Sequence, residues 1–226
     1  HVRMEGKVVH SLLRAFAKSY ILSGGEKGKV KHLLKYKYRH KENLSEMIYD
    51  EPSKKISRAR KKYTEALLKA RERVILFSPY YFPDKKFLYA LWKARKRGVK
   101  VDLLIPYRSD VKIAKYVMFT WFSLLKKHGV NVYLADKMMH GKGVIMDDEW
   151  AMVGSSNIDQ SGFYDTYEAN LQIKDKKAVK KIKSTLQKWI KSSKHFKNVE
   201  WEKRGKFHKA KEWLALKLYK FWYGER

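Results

Sequence analysis

Between residues 74 and 134, short apolar runs alternate with amphipathic stretches, and nothing else in the chain constrains the fold as strongly. The runs at 74–77, 99–105 and 130–134 are too short for buried helices and read as buried strands. Residues 85–97 and 110–128 carry apolar side chains at helical spacing. Gly98 and Gly129 stop these helices, and Asp84 suits the N-cap of the first. Strand–helix–strand–helix–strand requires right-handed crossovers between parallel strands. The expectation is an α/β domain whose mixed, largely parallel sheet has helices on both faces. Residues 140–147, 150–153 and 167–173 read as further strands. Residues 176–194 read as an amphipathic helix with Val179, Ile182, Leu186 and Ile190 along one side.

The flanks differ. Residues 1–5 read as the end of a strand. Val8, Val9, Leu12, Leu13, Phe16 and Tyr20 then recur at helical spacing until Gly24-Gly25. Residues 27–41 hold seven Lys or Arg and no acid, and read as a basic connector able to lie on a polyanion or to stay solvated. Residues 56–71 return to a helical pattern, with Ile56, Tyr63, Leu67 and Ala70 on one side. In the tail, Phe207, Ala210, Leu214, Leu218 and Phe221 recur at helical spacing among lysines. Such a helix either lies in a lipid headgroup layer or docks on the domain. The division that follows is 1–55, 56–197 and 198–226, with basic helical extensions at both ends of the central domain.

Charge narrows the partners. The 226 residues carry 52 Lys and Arg against 23 Asp and Glu, a formal net charge of +29. That balance favours a polyanionic partner, either an anionic lipid surface or nucleic acid. There is no cysteine, so neither a disulfide nor a thiolate metal site can form. No stretch approaches the roughly 18–20 apolar residues of a membrane-spanning helix.

The chemistry concentrates in residues 140–168. His140 and Lys142, two apart on a strand, share a face. An imidazole can act as nucleophile or move a proton near neutral pH, and an ammonium beside it suits phosphate. Asp147 follows, then Gly154-Ser155-Ser156-Asn157 at the end of the next strand. There Gly154 lets the backbone turn, and Ser155 and Asn157 can donate hydrogen bonds to an anion. A proton-moving group, a cation and neutral donors together suit a phosphoryl-type transition state. His-x-Lys alone is uninformative, since His195-Phe196-Lys197 also matches. His-x-Lys-x4-Asp-x6-Gly-Ser-x-Asn is far more specific.

This arrangement resembles the signature of the phospholipase D superfamily. Ser78-Pro79-Tyr80, Pro83-Asp84, Arg97-Gly98-Val99, Leu104-Ile105-Pro106, Gly129-Val130 and Tyr167-Glu168-Ala169-Asn170-Leu171 are similar to the run around the second motif of bacterial cardiolipin synthases. The resemblance covers about residues 72–173, and residues 1–16 resemble the piece that follows the first motif. It implies two half-sites, of which this chain contains one. It also implies phosphatidyl transfer through a phosphohistidine, with His140 as general acid and base. Lys142, Asn157 and Ser155 would hold the phosphoryl oxygens, and Glu168 would orient a histidine. Asp147 belongs to the motif, with a structural role the better fit. No metal and no cofactor are implied. The partners implied are an anionic phospholipid such as phosphatidylglycerol, a membrane surface, and either the missing first-motif half or a second copy. The implied location is peripheral, on the cytoplasmic face of a bacterial-type membrane. Ser161-Gly162, Thr166 and Gly143 depart from the family's habit, which bears on substrate choice more than on phosphodiester chemistry. Two other functions fit the charge: a nuclease of the same superfamily, and a non-catalytic basic module binding lipid or nucleic acid.

Overall fold

The computed structural model describes residues 2–36, 44–52, 56–109, 112–196 and 205–223. Its strands are β1 (Ser45–Asp50), β2 (Arg73–Phe77), β3 (Lys100–Pro106), β4 (Asn131–Ala135), β5 (Lys142–Met146), β6 (Trp150–Gly154), β7 (Glu168–Ile173) and β8 (Lys194–His195). The helices are α1 (Val8–Leu22), α2 (Lys27–Val30), α3 (Arg58–Lys69), α4 (Lys85–Lys96), α5 (Lys112–Lys127), α6 (Lys176–Lys191) and α7 (Lys206–Tyr223). One sheet forms, in the order β1-β7-β6-β5-β2-β3-β4-β8.

The fold is mixed α/β, with helices on both faces. The parallel part is smaller than the alternation suggests. Strand β2 runs parallel to β3, and β3 to β4, while every other pairing is antiparallel. The reason is local. Only residues 147–149 join β5 to β6, and a parallel crossover needs a dozen or more residues. Asp147 and Asp148 turn that hairpin with φ of 49° and 59°, a region Asp tolerates better than most residues.

Strand order advances in one direction from β2 to β4, so the crossover helices α4 and α5 share a face. With α3 they bury Tyr63, Leu67, Phe87, Leu91, Phe119 and Phe122 against it. Tyr63, Phe87 and Phe163 form the centre, with ring centroids 5.9–6.3 Å apart. The opposite face takes α1 and α6, through Val8 and Leu12 and through Val179, Ile182 and Leu186, over Ile75, Ile145, Leu171 and Ile173. Helix starts follow the sequence: the Asp84 carboxylate accepts from Phe87 N at 2.7 Å, and Ser57 Oγ accepts from Arg60 N at 3.0 Å.

Four local readings change. Residues 2–5 form no strand. Ser45–Asp50, taken with the connector, add an edge strand antiparallel to β7. Of the connector itself, residues 37–41 lie outside the described residues, and 27–36 fold onto α1. There Arg14 Nη1 donates to Leu34 O at 2.7 Å, and His10 stacks on Tyr36 at 4.2 Å. Ile56 lies outside α3 and is exposed.

Candidate active site

Strand β4 is followed by β5, which lies on the other side of β2, so the chain crosses the carboxyl ends of the parallel strands between them. In α/β sheets, ligands bind where strand order reverses in this way. His140 lies in that crossing and Lys142 is the first residue of β5. Gly154, the last residue of β6, pairs with Lys142, and Glu168, the first of β7, lies at the same edge. The motif is therefore gathered by strand ends.

His140 is exposed and precedes the strand instead of lying within it. Lys142 is buried, and its Nζ donates to the His140 carbonyl at 2.9 Å. A buried ammonium must be compensated, and the carboxylate of Asp159, a residue the motif reading missed, lies within electrostatic reach of it. Asp159 Oδ1 accepts from Gly162 N at 2.6 Å. Burial pushes the Asp159 carboxyl from 3.8 up to about 6. The Glu168 charge adds to the rise, while the Gly162 N–H and the Lys142 ammonium oppose it.

Glu168 is buried and held by two hydroxyls. Thr166 Oγ1 donates to its Oε1 at 2.7 Å, and Ser155 Oγ donates to its Oε2. Ser155 Oγ also accepts from Ala169 N at 2.9 Å. Its proton is thus committed to Glu168, and no hydrogen bond links Glu168 to His140 in this arrangement. Asn157 is different: its Oδ1 is buried without a hydrogen-bond partner among the described residues. Gly154 has a steric reason to be glycine, because a Cβ there would lie 2.4 Å from both Ala169 O and Asn170 Oδ1.

The segment from Ser78 to Phe82 buttresses the turn from outside the motif. Ser78 Oγ accepts from Ile158 N at 3.2 Å, and Phe82 N donates to Ile158 O at 2.8 Å. Tyr63 lies beneath, donating to Ser156 O at 3.3 Å. Burial, then Glu168 and Asp159, raise its phenol above the usual value, so it stays a donor. Asp147 is not brought to this edge. It lies past the far end of β5, where its carboxylate accepts from Arg71 N, Glu72 N and Arg73 N at 2.7–2.9 Å.

A cleft of about 850 Å³ opens beside the motif, between the sheet, the N-terminal residues and α6. His140, Gly141 and Lys142 line it together with apolar side chains, among them Met4, Leu12, Phe77, Leu171, Ile182 and Trp189. Asn157 and Glu168 do not line it.

The raised Asp159 carboxyl has a stability consequence. A group whose folded pKa lies above its unfolded value favours folding most below the unfolded pKa, and that contribution is lost as pH rises through the folded pKa. Stability should therefore carry a falling component between about pH 4 and pH 6, on the order of 3 kcal/mol. Asp159→Asn keeps an acceptor for Gly162 and should flatten that component. Urea unfolding of both forms at several pH values measures it, and equal slopes would refute the assignment.

Residues 63–190 match the family model described as cardiolipin synthase, PLD-like domain. Cardiolipin synthase 1 of Staphylococcus epidermidis is 30% identical over 220 residues, covering 95% of this chain and 45% of its own length. Cardiolipin synthase B of Escherichia coli is 40% identical over 115 residues, covering 50% of this chain and 28% of its own. The chain thus spans less than half the length of either relative. Among solved structures, Nuc of Salmonella typhimurium, described as a phospholipase D family member, superposes with a TM-score of 0.56 at 19% identity, over 68% of this chain and 97% of that one. With the family model covering more than half the chain and including the strand ends that carry His140 and Lys142, the chain belongs to the phospholipase D superfamily, within its cardiolipin synthase, PLD-like family.

Proposed function

We propose that this chain supplies the second-motif half of a phosphatidyltransferase active site of the cardiolipin synthase type. The observation that carries the reading is the cleft: an exposed imidazole and a buried ammonium stand at the edge of a predominantly apolar groove. A phosphodiester with acyl chains offers an anion to the one and hydrocarbon to the other, whereas a polynucleotide has no hydrocarbon to place there.

In this scheme a histidine from the first-motif half attacks the phosphorus of one phosphatidyl donor. The P–N bond forms as the P–O bond to the leaving alcohol breaks, and His140 gives its proton to that oxygen. His140 then takes the proton of the incoming alcohol, whose oxygen displaces the histidine and restores it. Lys142 and Asn157 hold the non-bridging oxygens. Substrate capture would swing the Lys142 ammonium off the His140 carbonyl toward these oxygens, with the Asn157 Nδ2 amide donating beside it. Ser155 and Thr166 act on Glu168, fixing a carboxylate near the site for a histidine to use.

The nucleophilic histidine comes from outside this chain. A second copy related by a two-fold axis is one source. Here an upstream half is the better source, because residues 2–4 and α1 already occupy one wall of the cleft. Among the described residues no helix is long and apolar enough to cross a membrane, and the membrane association we infer is peripheral.

The test is conversion of phosphatidylglycerol vesicles, followed by mass spectrometry, with this chain alone and with an upstream His-x-Lys half attached. New lipid only in the second case supports the half-site. Normal turnover by a monomer of residues 1–226 would refute it. Cleavage of plasmid DNA with no new lipid would select the nuclease reading, which the net charge of +29 favours.

A further inference from the structure

Helix α7 meets the domain through a face other than its most apolar one. At its seam with α5, Glu212 and Ala215 are only 4% and 5% exposed, and the His208 ring meets Tyr116 edge-on at 6.0 Å. Residues 208, 212 and 215 follow one line along the helix. Phe207, Leu214 and Leu218 follow another, and these remain 72%, 53% and 43% exposed. Trp213 beside them is 58% exposed. A helix docked only for stability would turn these side chains inward.

Lysines fringe the exposed line on both sides. Lys211 Nζ lies 4.4 Å from the Phe207 ring centroid, and Lys217 Nζ lies 4.0 Å from that of Trp213. Lys206 and Lys209 add charge at the start of the helix. The single acid of α7, Glu212, is in the seam, so the outer surface carries only positive charge.

We propose that α7, held against α5, seats its Phe207–Leu214–Leu218 line in the boundary between headgroups and acyl chains of an anionic phospholipid bilayer. The apolar line needs an apolar phase, and its lysine fringe needs anions beside that phase. Nucleic acid supplies anions but gives Leu214 and Leu218 nothing to enter. A second copy would bring another +29 against the same lysines. The choice of bilayer rests on the phosphatidyl-transfer reading, but the measurement is of binding, so failed turnover at His140 and failed docking by α7 are told apart.

Flotation of the full chain with vesicles of phosphatidylglycerol and phosphatidylcholine, and with phosphatidylcholine alone, tests it. Binding to the anionic vesicles should weaken at least tenfold in the triple variant F207S/L214S/L218S. Its thermal unfolding should change little, because the three side chains are exposed. The chain has no cysteine, so Leu218→Cys carrying an environment-sensitive dye gives a second reading without disturbing the helix. Its emission should shift to the blue on anionic vesicles, while a dye at Leu68, exposed on α3, should not respond. Undiminished binding by the triple variant, an unmoved dye at position 218, or equal binding to both vesicle types would overturn the proposal. So would a tenfold loss of duplex DNA binding in the triple variant with vesicle binding intact.

Discussion

Replacing His140 by alanine should lower phosphatidyl transfer by about 10³-fold or more in any form of the protein that turns over. A positioned acid–base group contributes roughly 10²–10⁴-fold, and His140 serves both chemical steps in the proposed cycle. Its ring is exposed and makes no hydrogen bond among the described residues, so its removal should cost little stability. The loss would therefore be of kcat in a protein with unchanged unfolding. Lys142→Met should also fail, by roughly 10²–10³-fold, the usual effect of removing one group that stabilises transition-state charge. Lys142 is buried within electrostatic reach of the Asp159 carboxylate, so this variant removes that carboxylate's cation, and its unfolding should change too. The double variant should fall little further than His140→Ala alone, because residues acting as a unit are not additive. Steady-state transfer rates beside thermal melts measure all three. A His140→Ala form that retains a tenth of normal turnover would remove His140 from the mechanism.

How far the sequence carries depends on how local each signal is. Strands β2 to β4 and helices α4 and α5 are written in consecutive residues: apolar runs, the Asp84 cap, and stops at Gly98 and Gly129, both with positive φ. The motif is equally local, so His140, Lys142 and the Gly154–Asn157 turn can be read without a structure. Strand β1 is not legible, because its partner β7 is more than a hundred residues away and its own residues are short of apolar alternation. Strand β8 is two residues long and exists only because β4 offers it an edge. The details of the site fail for the same reason. That the Ser155 proton goes to Glu168 follows from where β6 ends beside β7. Asp159 reads as an ordinary surface acid, and its burial depends on the turn at 161–165 folding back over it. Thr166, read as a departure from the family's habit, turns out to hold Glu168.

Asp147→Ala should be the most destabilising single change at any motif residue, while leaving the chemistry intact. The Asp147 carboxylate gathers three backbone N–H groups where α3 ends and β2 begins, two on Oδ1 and one on Oδ2. Hydrogen bonds to a charged group contribute about 1.5–3 kcal/mol each, although partial exposure and bonds regained with water reduce the sum. Alanine also tolerates φ of 49° poorly, which adds about 1 kcal/mol. The total is about 3 kcal/mol, which for a chain of this size lowers Tm by roughly 6–12 °C. Asp147→Asn tolerates the backbone angle and can keep the two bonds on its remaining oxygen. It then turns an amide NH2 toward Arg71 N, so it should fall about midway. Turnover per folded molecule should stay near normal in both, because Asp147 and His140 lie beyond opposite ends of β5. The ordering of melting temperatures, wild type above Asn above Ala, with kcat unchanged, is the result that fixes Asp147 as a structural residue. A normal melt with kcat reduced as far as in His140→Ala would move it into the active site.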